Sequence, residues 1–261
     1  MILKDKVIII TGVGPGMGQA MAKIAAQEGA KVVVAARTRS FLDEVVAEIE
    51  GAGGQALAVP TDVGDKSQCE KLAAETVRAF GRIDGLVNSA YITGETASLE
   101  AADVDSWLKV LDIGCLAAVR MSQAVVPSMK AQGGGAIVNI GSMQALKHLP
   151  GSSLSYAVAK GAIITASRQL ASELGPLNIR VNAVRMGWLW GAPVKAALAE
   201  LAAHSGLSEE EMIASIAEKI PLRVIPPEEE CARTALMFLS DYTRMATGAV
   251  VDVNGGEWMA P

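Results

Sequence analysis

Residues 7–18 read VIIITGVGPGMG, and this stretch decides the fold. It opens with a continuous β-branched run at residues 7–10, typical of a strand buried on both faces of a parallel sheet. A glycine-rich loop follows, and apolar residues then recur at helical spacing at Met17, Met21 and Ile24. The stretch therefore predicts a buried strand, a tight loop and a helix whose amino terminus directs backbone N–H groups at an anion.

The glycines of this loop follow the pattern Gly-x-x-x-Gly-x-Gly, at Gly12, Gly16 and Gly18. Glycine lets the backbone approach a pyrophosphate closely and lets the following helix pack tightly on the sheet. The pattern predicts a dinucleotide site formed by these glycines and by Met17 at the start of the helix. The alternative is a tight turn that binds no ligand.

Strand-like and helix-like segments alternate along the chain without a linker or an internal repeat. The strand-like runs after the first lie at residues 31–35, 55–59, 85–87, 136–141, 179–184 and 249–253. This order predicts a single α/β domain over residues 1–261, with a Rossmann-type doubly wound parallel sheet and helices on both faces in a three-layer sandwich. A helical insertion at about 194–219 predicts a substrate lid over about residues 186–225.

Composition excludes several classes of function. The net charge of −5 argues against nucleic acid as the main partner. We find no signal peptide and no apolar run of about 20 residues, so we expect a cytoplasmic protein without a membrane span. The 3 cysteines are widely spaced and the 2 histidines are isolated, which predicts free thiols and no metal site.

A second informative feature is the pair Tyr156 and Lys160, four residues apart in a predicted helix. That spacing places the phenol and the ammonium on one helix face, where a cation favours the phenolate and lowers the pKa of the tyrosine. Ser142 follows a predicted buried strand and is positioned to hydrogen-bond the substrate oxygen that Tyr156 protonates. These three residues predict an acid–base site.

Several motifs in order make the chain resemble the short-chain dehydrogenase/reductase family, in its single-domain branch. They are Thr11-Gly12-x-x-x-Gly16-x-Gly18, Asp62-Val63, Val87-Asn88-Ser89-Ala90, Ser142, Tyr156-x-x-x-Lys160 and Asn182-Ala183-Val184. The resemblance covers essentially the whole chain. It implies hydride transfer between a nicotinamide and a carbinol carbon, without a metal.

The resemblance also assigns roles. Tyr156 would be the general acid in ketone reduction and the base in alcohol oxidation, Lys160 would lower its pKa and hold the nicotinamide ribose, and Ser142 would stabilise the substrate oxygen. The implied cofactor-binding residues beyond the glycine-rich loop are Asp62 and Val63 at the adenine, Asn88 and Ala90 after the fourth strand, and Gly187 and Leu189 after the sixth.

The chain departs from the family pattern at several positions, among them Ser89 and Met186, which replace an asparagine and a proline. Gly114 replaces an asparagine that supports a helix kink and a water-linked proton relay, which leaves a non-catalytic dinucleotide sensor as an alternative function. Tyr91 replaces a glycine beside the cofactor cleft. Gly191 replaces a threonine that often holds the cofactor carboxamide, and the backbone around Leu189 is the expected substitute.

Cofactor preference is read after the second strand, where enzymes for NAD usually carry an acidic residue. Here Ala36 takes that place and Arg37 follows, and an arginine suits a 2′-phosphate. NADP(H) is therefore favoured, with NAD(H) possible because the glycine-rich loop carries no basic residue.

The expected substrate pocket is apolar and aromatic, which predicts a small apolar secondary alcohol or ketone, cyclic or aromatic. Its predicted lining is Tyr91, Met143, Leu149, Trp188 and Trp190, and His148 either reaches it or is a solvated loop residue. A 3-oxoacyl-thioester reductase of fatty-acid type is the alternative, although the acidic chain shows no clear basic surface for a carrier. The family also implies a homotetramer, or a homodimer.

Overall fold

The computed structural model describes residues 1–148 and 153–259. Seven parallel strands form one sheet in the order β3-β2-β1-β4-β5-β6-β7. The strands are β1 Val7–Thr11, β2 Lys31–Ala35, β3 Gln55–Ala58, β4 Gly85–Asn88, β5 Gly135–Ser142, β6 Ile179–Met186 and β7 Val250–Val253. The order reverses between β1 and β4, and ligands of open α/β sheets bind at such a switch point.

Helices cover both faces of this sheet. They are α1 Met17–Gln27, α2 Arg39–Gly51, α3 Lys66–Phe80, α4 Trp107–Leu111, α5 Ala117–Ala131, α6 Leu154–Leu174, α7 Ala192–Ser205, α8 Glu209–Ala217 and α9 Glu228–Met237. One core cluster joins α1, α2 and α9 to the sheet, and another joins α3, α5 and α6 to the opposite face. The predicted fold class, a doubly wound parallel sheet in three layers, is confirmed.

The β-branched run of β1 shows why both faces are apolar. Ile8 and Ile10 pack into the cluster of α1, α2 and α9, whereas Ile9 packs into the cluster of α3, α5 and α6. All three are fully buried, because a parallel strand in the middle of a covered sheet has no face left for water.

One long helical run spans Val104–Ala131, with a π-helical turn at Asp112–Leu116. By length and composition this run could cross a membrane, so the expectation that no apolar run approaches that length was wrong. Core helices share both properties, and here Met121, Val125 and Met129 are fully buried against the sheet. The π turn contains Gly114, so the α-helical hydrogen-bond pattern is interrupted at the position where the family pattern has its asparagine.

The predicted lid contains two helices, α7 and α8. A small apolar cluster of its own holds it together, with Leu198, Ile220 and Ile225 buried at its centre. A capping box starts α8: the Ser208 hydroxyl accepts from the Glu211 amide at 3.2 Å, and the Glu211 carboxylate accepts from the Ser208 amide at 2.8 Å. The lid therefore has its own packing beside the two main clusters.

Candidate active site

A cleft of about 700 Å³ opens at the carboxyl ends of the central strands. The glycine-rich loop, the end of β5, the first turns of α6 and the segment after β6 all border it. Ser142, Tyr156 and Lys160 line this one cleft together with Gly12, Gly16, Met17, Gly18, Gly187 and Leu189. The fold thus brings together residues that lie up to about 175 positions apart, as expected for a switch-point crevice.

The glycine-rich loop fits a phosphate ligand. Gly12 has a φ of 72°, and a Cβ there would lie 2.5 Å from the amide nitrogen of Ala90, so the loop packs directly on the end of β4. The helix α1 begins at Met17, and the residue before it, Gly16, gives no side-chain cap. An uncapped helix start offers backbone N–H groups and a positive dipole end, and here both border the cleft.

The three acid–base residues are held by β5 and α6. Ser142 is the last residue of β5, is 6% exposed, and accepts a hydrogen bond from the amide of Gln144 at 3.2 Å. The hydroxyl of Ser153 caps α6 by accepting from the Tyr156 amide. Lys160 is 2% exposed, and its ammonium donates to the carbonyl of Ile140 at 2.7 Å. Strand and helix therefore fix all three side chains.

Burial controls the protonation of this group. It raises the pKa of the Tyr156 phenol well above its ordinary value; Tyr91 adds to the rise, and a hydrogen bond with Ser142 opposes it. Burial lowers the pKa of Lys160 to about 8, with Cys115 acting in the opposite direction. The expected lowering of the Tyr156 pKa by Lys160 is not found, because the loss of hydration on burial outweighs the hydrogen bond with Ser142. At neutral pH the phenol keeps its proton.

Tyr91 belongs to the same cluster. Its ring meets that of Tyr156 edge to face, with centroids 6.0 Å apart and planes at 67°. The Lys160 Nζ atom lies 5.7 Å from the Tyr91 centroid and 5.5 Å from the Tyr156 centroid. The ammonium therefore lies close to two aromatic rings, which attract it through their negative faces. We expected Tyr91 to shape the pocket, and the structure also places it beside the lysine.

Asn88 ties the strands together rather than lining the main cleft. Its amide nitrogen donates to Asn139 Oδ1 at 2.9 Å, and the Asn139 amide nitrogen donates to the Ser167 hydroxyl at 2.8 Å. The chain of bonds links β4, β5 and α6 beneath the site. The Asn88 Oδ1 atom is buried, and the described residues provide it with no hydrogen-bond partner.

A small cavity of about 10 Å³ lies beside the π turn. Asn88, Gly114 and Lys160 all border it, and its volume is close to that of one water probe. A Cβ at Gly114 would approach the Cβ of Ala159 to 2.9 Å, so the helices pack closely at this position. The glycine that replaces the family asparagine therefore allows close contact between the long helical run and α6.

The residues predicted at the adenine end lie outside the main cleft. Arg37 is exposed just after β2. Asp62 follows β3, and its carboxylate accepts from the Gly64 amide at 2.9 Å, while Val63 is buried in the α3 and α5 core. Arg37 therefore follows the carboxyl end of β2, and Asp62 follows that of β3. Both strands lie on the same side of the switch point.

The predicted pocket residues divide into three groups. Tyr91, Met143 and Trp188 line the cleft. Trp190 is not among its lining residues; it packs in the lid cluster, where the Lys195 ammonium lies 5.1 Å from its ring centroid. Leu149 lies outside the described residues, and His148 is exposed. Trp188 also packs against the lid cluster, so both tryptophans contact the lid and, of the two, Trp188 borders the cleft.

The sequence did not single out Glu228, which lines the cleft from the first turn of α9. A Cβ at Gly191 would overlap the Glu228 carboxylate, so the absence of a side chain at Gly191 leaves room for Glu228. Three consecutive glutamates begin α9. Acidic residues are common in the first turn of a helix, so the sequence did not indicate that one of them faces the cleft.

With this geometry in view, the chain can be compared with known proteins. A family profile described as "Enoyl-(Acyl carrier protein) reductase" matches residues 12–257. A 3-oxoacyl-[acyl-carrier-protein] reductase of Thermotoga maritima is 34% identical over 256 residues, covering 98% of this chain and 99% of the relative.

Solved structures agree with this match. L-Sorbose reductase from Gluconobacter frateurii, complexed with NADPH and L-sorbose, has a TM-score of 0.93 at 30% identity and full coverage of both chains. A xylitol dehydrogenase bound to NAD+ has a TM-score of 0.89 at 29% identity, covering 98% of this chain and 100% of that one.

The chain belongs to the short-chain dehydrogenase/reductase family. It is an oxidoreductase that uses a nicotinamide dinucleotide, and the glycine-rich loop and uncapped helix start described above fit the phosphates of such a cofactor. When bound, the cofactor supplies the hydride, and the protein supplies binding, orientation and the proton.

Proposed function

We propose that this enzyme is an NADP(H)-dependent oxidoreductase that interconverts an apolar secondary alcohol and its ketone, with a cyclic or aromatic substrate. The observation that carries the proposal is the cluster of Ser142, Tyr156 and Lys160 at one wall of the cleft. Ser142 binds the substrate oxygen, and Tyr156 donates its proton to that oxygen when a ketone is reduced.

At neutral pH the Tyr156 phenol is in the protonated form that ketone reduction requires, because burial raises its pKa. Alcohol oxidation needs the phenolate, which higher pH supplies. The ratio of oxidation rate to reduction rate is therefore expected to rise with pH.

The expected substrate class follows from the cleft wall. Met143, Trp188 and Tyr91 present sulfur and aromatic surface beside Tyr156. Lys160 and Glu228 are the charged side chains among the described residues that line the cleft, and Lys160 bonds the Ile140 carbonyl. That leaves little for a substrate carboxylate or phosphate to bind, which favours an apolar molecule.

The preference for NADP(H) rests on Arg37. An exposed arginine just after β2 offers a charged donor set to a 2′-phosphate, and neither Ala36 nor Arg37 carries the carboxylate that would repel it. We expect Arg37→Ala to weaken NADPH binding by about tenfold and to leave NADH binding unchanged.

Arg39→Ala is the matched control, because Arg39 lies two residues away and pairs with Asp43 at 2.8 Å. Fluorescence titration with NADPH and NADH measures both affinities. Equal loss for the two cofactors in Arg37→Ala, or tighter binding of NADH by the wild type, would overturn the preference.

The substrate class is tested by absorbance at 340 nm with NADPH and a panel of cyclic and aromatic ketones, simple sugars and a 3-oxoacyl thioester. Turnover of the cyclic or aromatic ketones, lost in Tyr156→Phe, is the expected result. Exclusive turnover of a sugar or of the thioester would refute the proposed substrate class but leave the reaction type intact.

A 3-oxoacyl-thioester reductase is the second candidate, and one finding favours it. The Thermotoga maritima relative is named for that activity and covers almost the whole chain. Against it stand the net charge of −5 and the absence of a clear basic surface for an acidic carrier in the sequence.

We also propose that the enzyme is cytoplasmic and forms a homotetramer, or a homodimer. Large apolar side chains are exposed along the long helical run and the start of α6, among them Leu108, which is 68% exposed. Light scattering coupled to size exclusion measures the assembly, and a monomer at micromolar concentration would contradict the proposal.

A further inference from the structure

Among the described residues that line the cleft, Glu228 is the one that carries a carboxylate. It lies in the first turn of α9, on the sheet face that α9 shares with α1 and α2. Tyr156 and Lys160 reach the cleft from α6, which covers the opposite face. The acid–base cluster and the Glu228 carboxylate therefore enter the cleft from opposite faces of the sheet.

The backbone around Glu228 is firmly placed. The Trp190 amide donates to the Pro226 carbonyl at 2.8 Å, and Trp190 pairs with Pro227 in a short parallel bridge. These contacts bind the start of α9 to the segment that follows β6. Two consecutive prolines also restrict the backbone just before Glu228.

Gly191 completes the arrangement. The space that a side chain at position 191 would occupy is filled by the Glu228 carboxylate. Burial raises the pKa of this carboxyl, Glu229 adds to the rise, and Lys195 and Lys23 oppose it. A carboxylate that is partly buried in a cleft needs hydrogen-bond donors, and a carboxylate is an acceptor only.

We propose that Glu228 positions the cofactor by accepting a hydrogen bond from the carboxamide N–H of the nicotinamide. This inference rests on the dinucleotide cleft of the proposed function. The nicotinamide end must reach Tyr156 for hydride transfer, and its carboxamide NH₂ is the only N–H donor that the ring carries. Glu228 supplies an acceptor on the other side of the cleft, where Gly191 has no side chain.

The test compares NADP+ with its 3-acetylpyridine analogue, in which a methyl ketone replaces the carboxamide and removes the N–H donor. Calorimetry measures both dissociation constants without turnover. The wild type is expected to bind NADP+ more tightly than the analogue, by about tenfold or more, since hydrogen bonds to a charged acceptor are strong.

Glu228→Ala should abolish this discrimination by weakening NADP+ binding alone, and Glu228→Gln, which keeps an acceptor oxygen, should retain part of it. Glu229→Gln is the matched control: it removes a charge from the same exposed helix start and should preserve the wild-type ratio. Unfolding curves of all three variants separate a folding defect from a binding effect, and Glu228→Gln serves if Glu228→Ala is unstable.

Two outcomes overturn the inference: the wild type does not discriminate the two cofactors, or Glu228→Ala discriminates as the wild type does. If that variant also binds both cofactors more tightly by one factor, the carboxylate repels the phosphates instead. A wild type that binds neither dinucleotide would instead refute the cofactor assignment itself.

Discussion

The wall that carries Ser142, Tyr156 and Lys160 differs sharply from the predicted lid over residues 186–225, which contains α7 and α8. The first stands on β5 and α6, is largely buried, and has the hydrogen-bond chain of Asn88, Asn139 and Ser167 beneath it. The second is held by a small cluster around Leu198 and Ile220, and most of its helical surface is exposed.

This difference suggests that the wall carries out proton transfer and that the predicted lid selects the substrate. Proton transfer needs fixed distances, and a side chain on a buried strand or helix keeps them. A lid must move to admit substrate, and segments with few buried contacts open at low free-energy cost. Substitutions in the wall should therefore act on kcat, and substitutions in the lid on KM.

The largest expected effect comes from Tyr156→Phe. The change removes the hydroxyl that donates the proton and keeps the ring that packs on Tyr91, so kcat should fall by about 10²–10⁴-fold with little change in cofactor affinity. Steady-state reduction of the best ketone, with NADPH titration as control, measures it. A fall in kcat of less than about tenfold would contradict the comparison, because it would mean that the wall with Tyr156 does not supply the proton.

Lys160→Met should lower kcat by about 10²-fold and at the same time stabilise the fold near pH 7. The pKa falls from 10.5 in the unfolded chain to about 8 in the folded one, so burial of the cation costs roughly 3 kcal/mol below pH 8.

The lowered pKa of Lys160 determines the pH range in which stability changes. Between pH 8 and 10.5 the folded protein has released this proton and the unfolded chain still binds it, so wild-type stability gains from rising pH. Chemical denaturation of both proteins at pH 7 and pH 10 tests this. The stability advantage of Lys160→Met should shrink at pH 10, and a constant difference would contradict it.

The smallest effect is expected in the lid. Trp188→Ala removes aromatic surface from the cleft, so KM for an aromatic ketone should rise by about tenfold while kcat changes little. Trp190→Ala is the matched control, since Trp190 packs in the lid without lining the cleft. A fall in kcat with unchanged KM in Trp188→Ala would contradict the assignment of kcat effects to the wall and KM effects to the lid.

Local sequence pattern predicted much of this molecule. The β-branched run of β1 is typical of a strand covered on both faces, and the glycines after it are typical of a tight loop before a helix. The spacing of Tyr156 and Lys160 placed both side chains on one face of α6, because helix geometry is local. Ser142 entered the site because parallel strands end at a common edge.

Other features depended on contacts between distant residues. The direction of the Tyr156 pKa shift follows from burial and from Tyr91, 65 positions earlier in the chain, and neither can be read from the motif. The role of Trp190 depended on which side of the lid packs inward. Glu228 and Gly191 belong to different segments of the chain, and the contacts of Trp190 with Pro226 and Pro227 bring them together.

The sequence by itself predicted the sheet and the glycine-rich loop from periodicity and spacing along single elements, and it predicted the acid–base residues from the family motifs that the chain resembles. Tertiary structure alone decided how strongly those groups are desolvated and which side chains face the cleft from other elements. Solvation and packing depend on every neighbour in three dimensions, and most of those neighbours are distant in sequence.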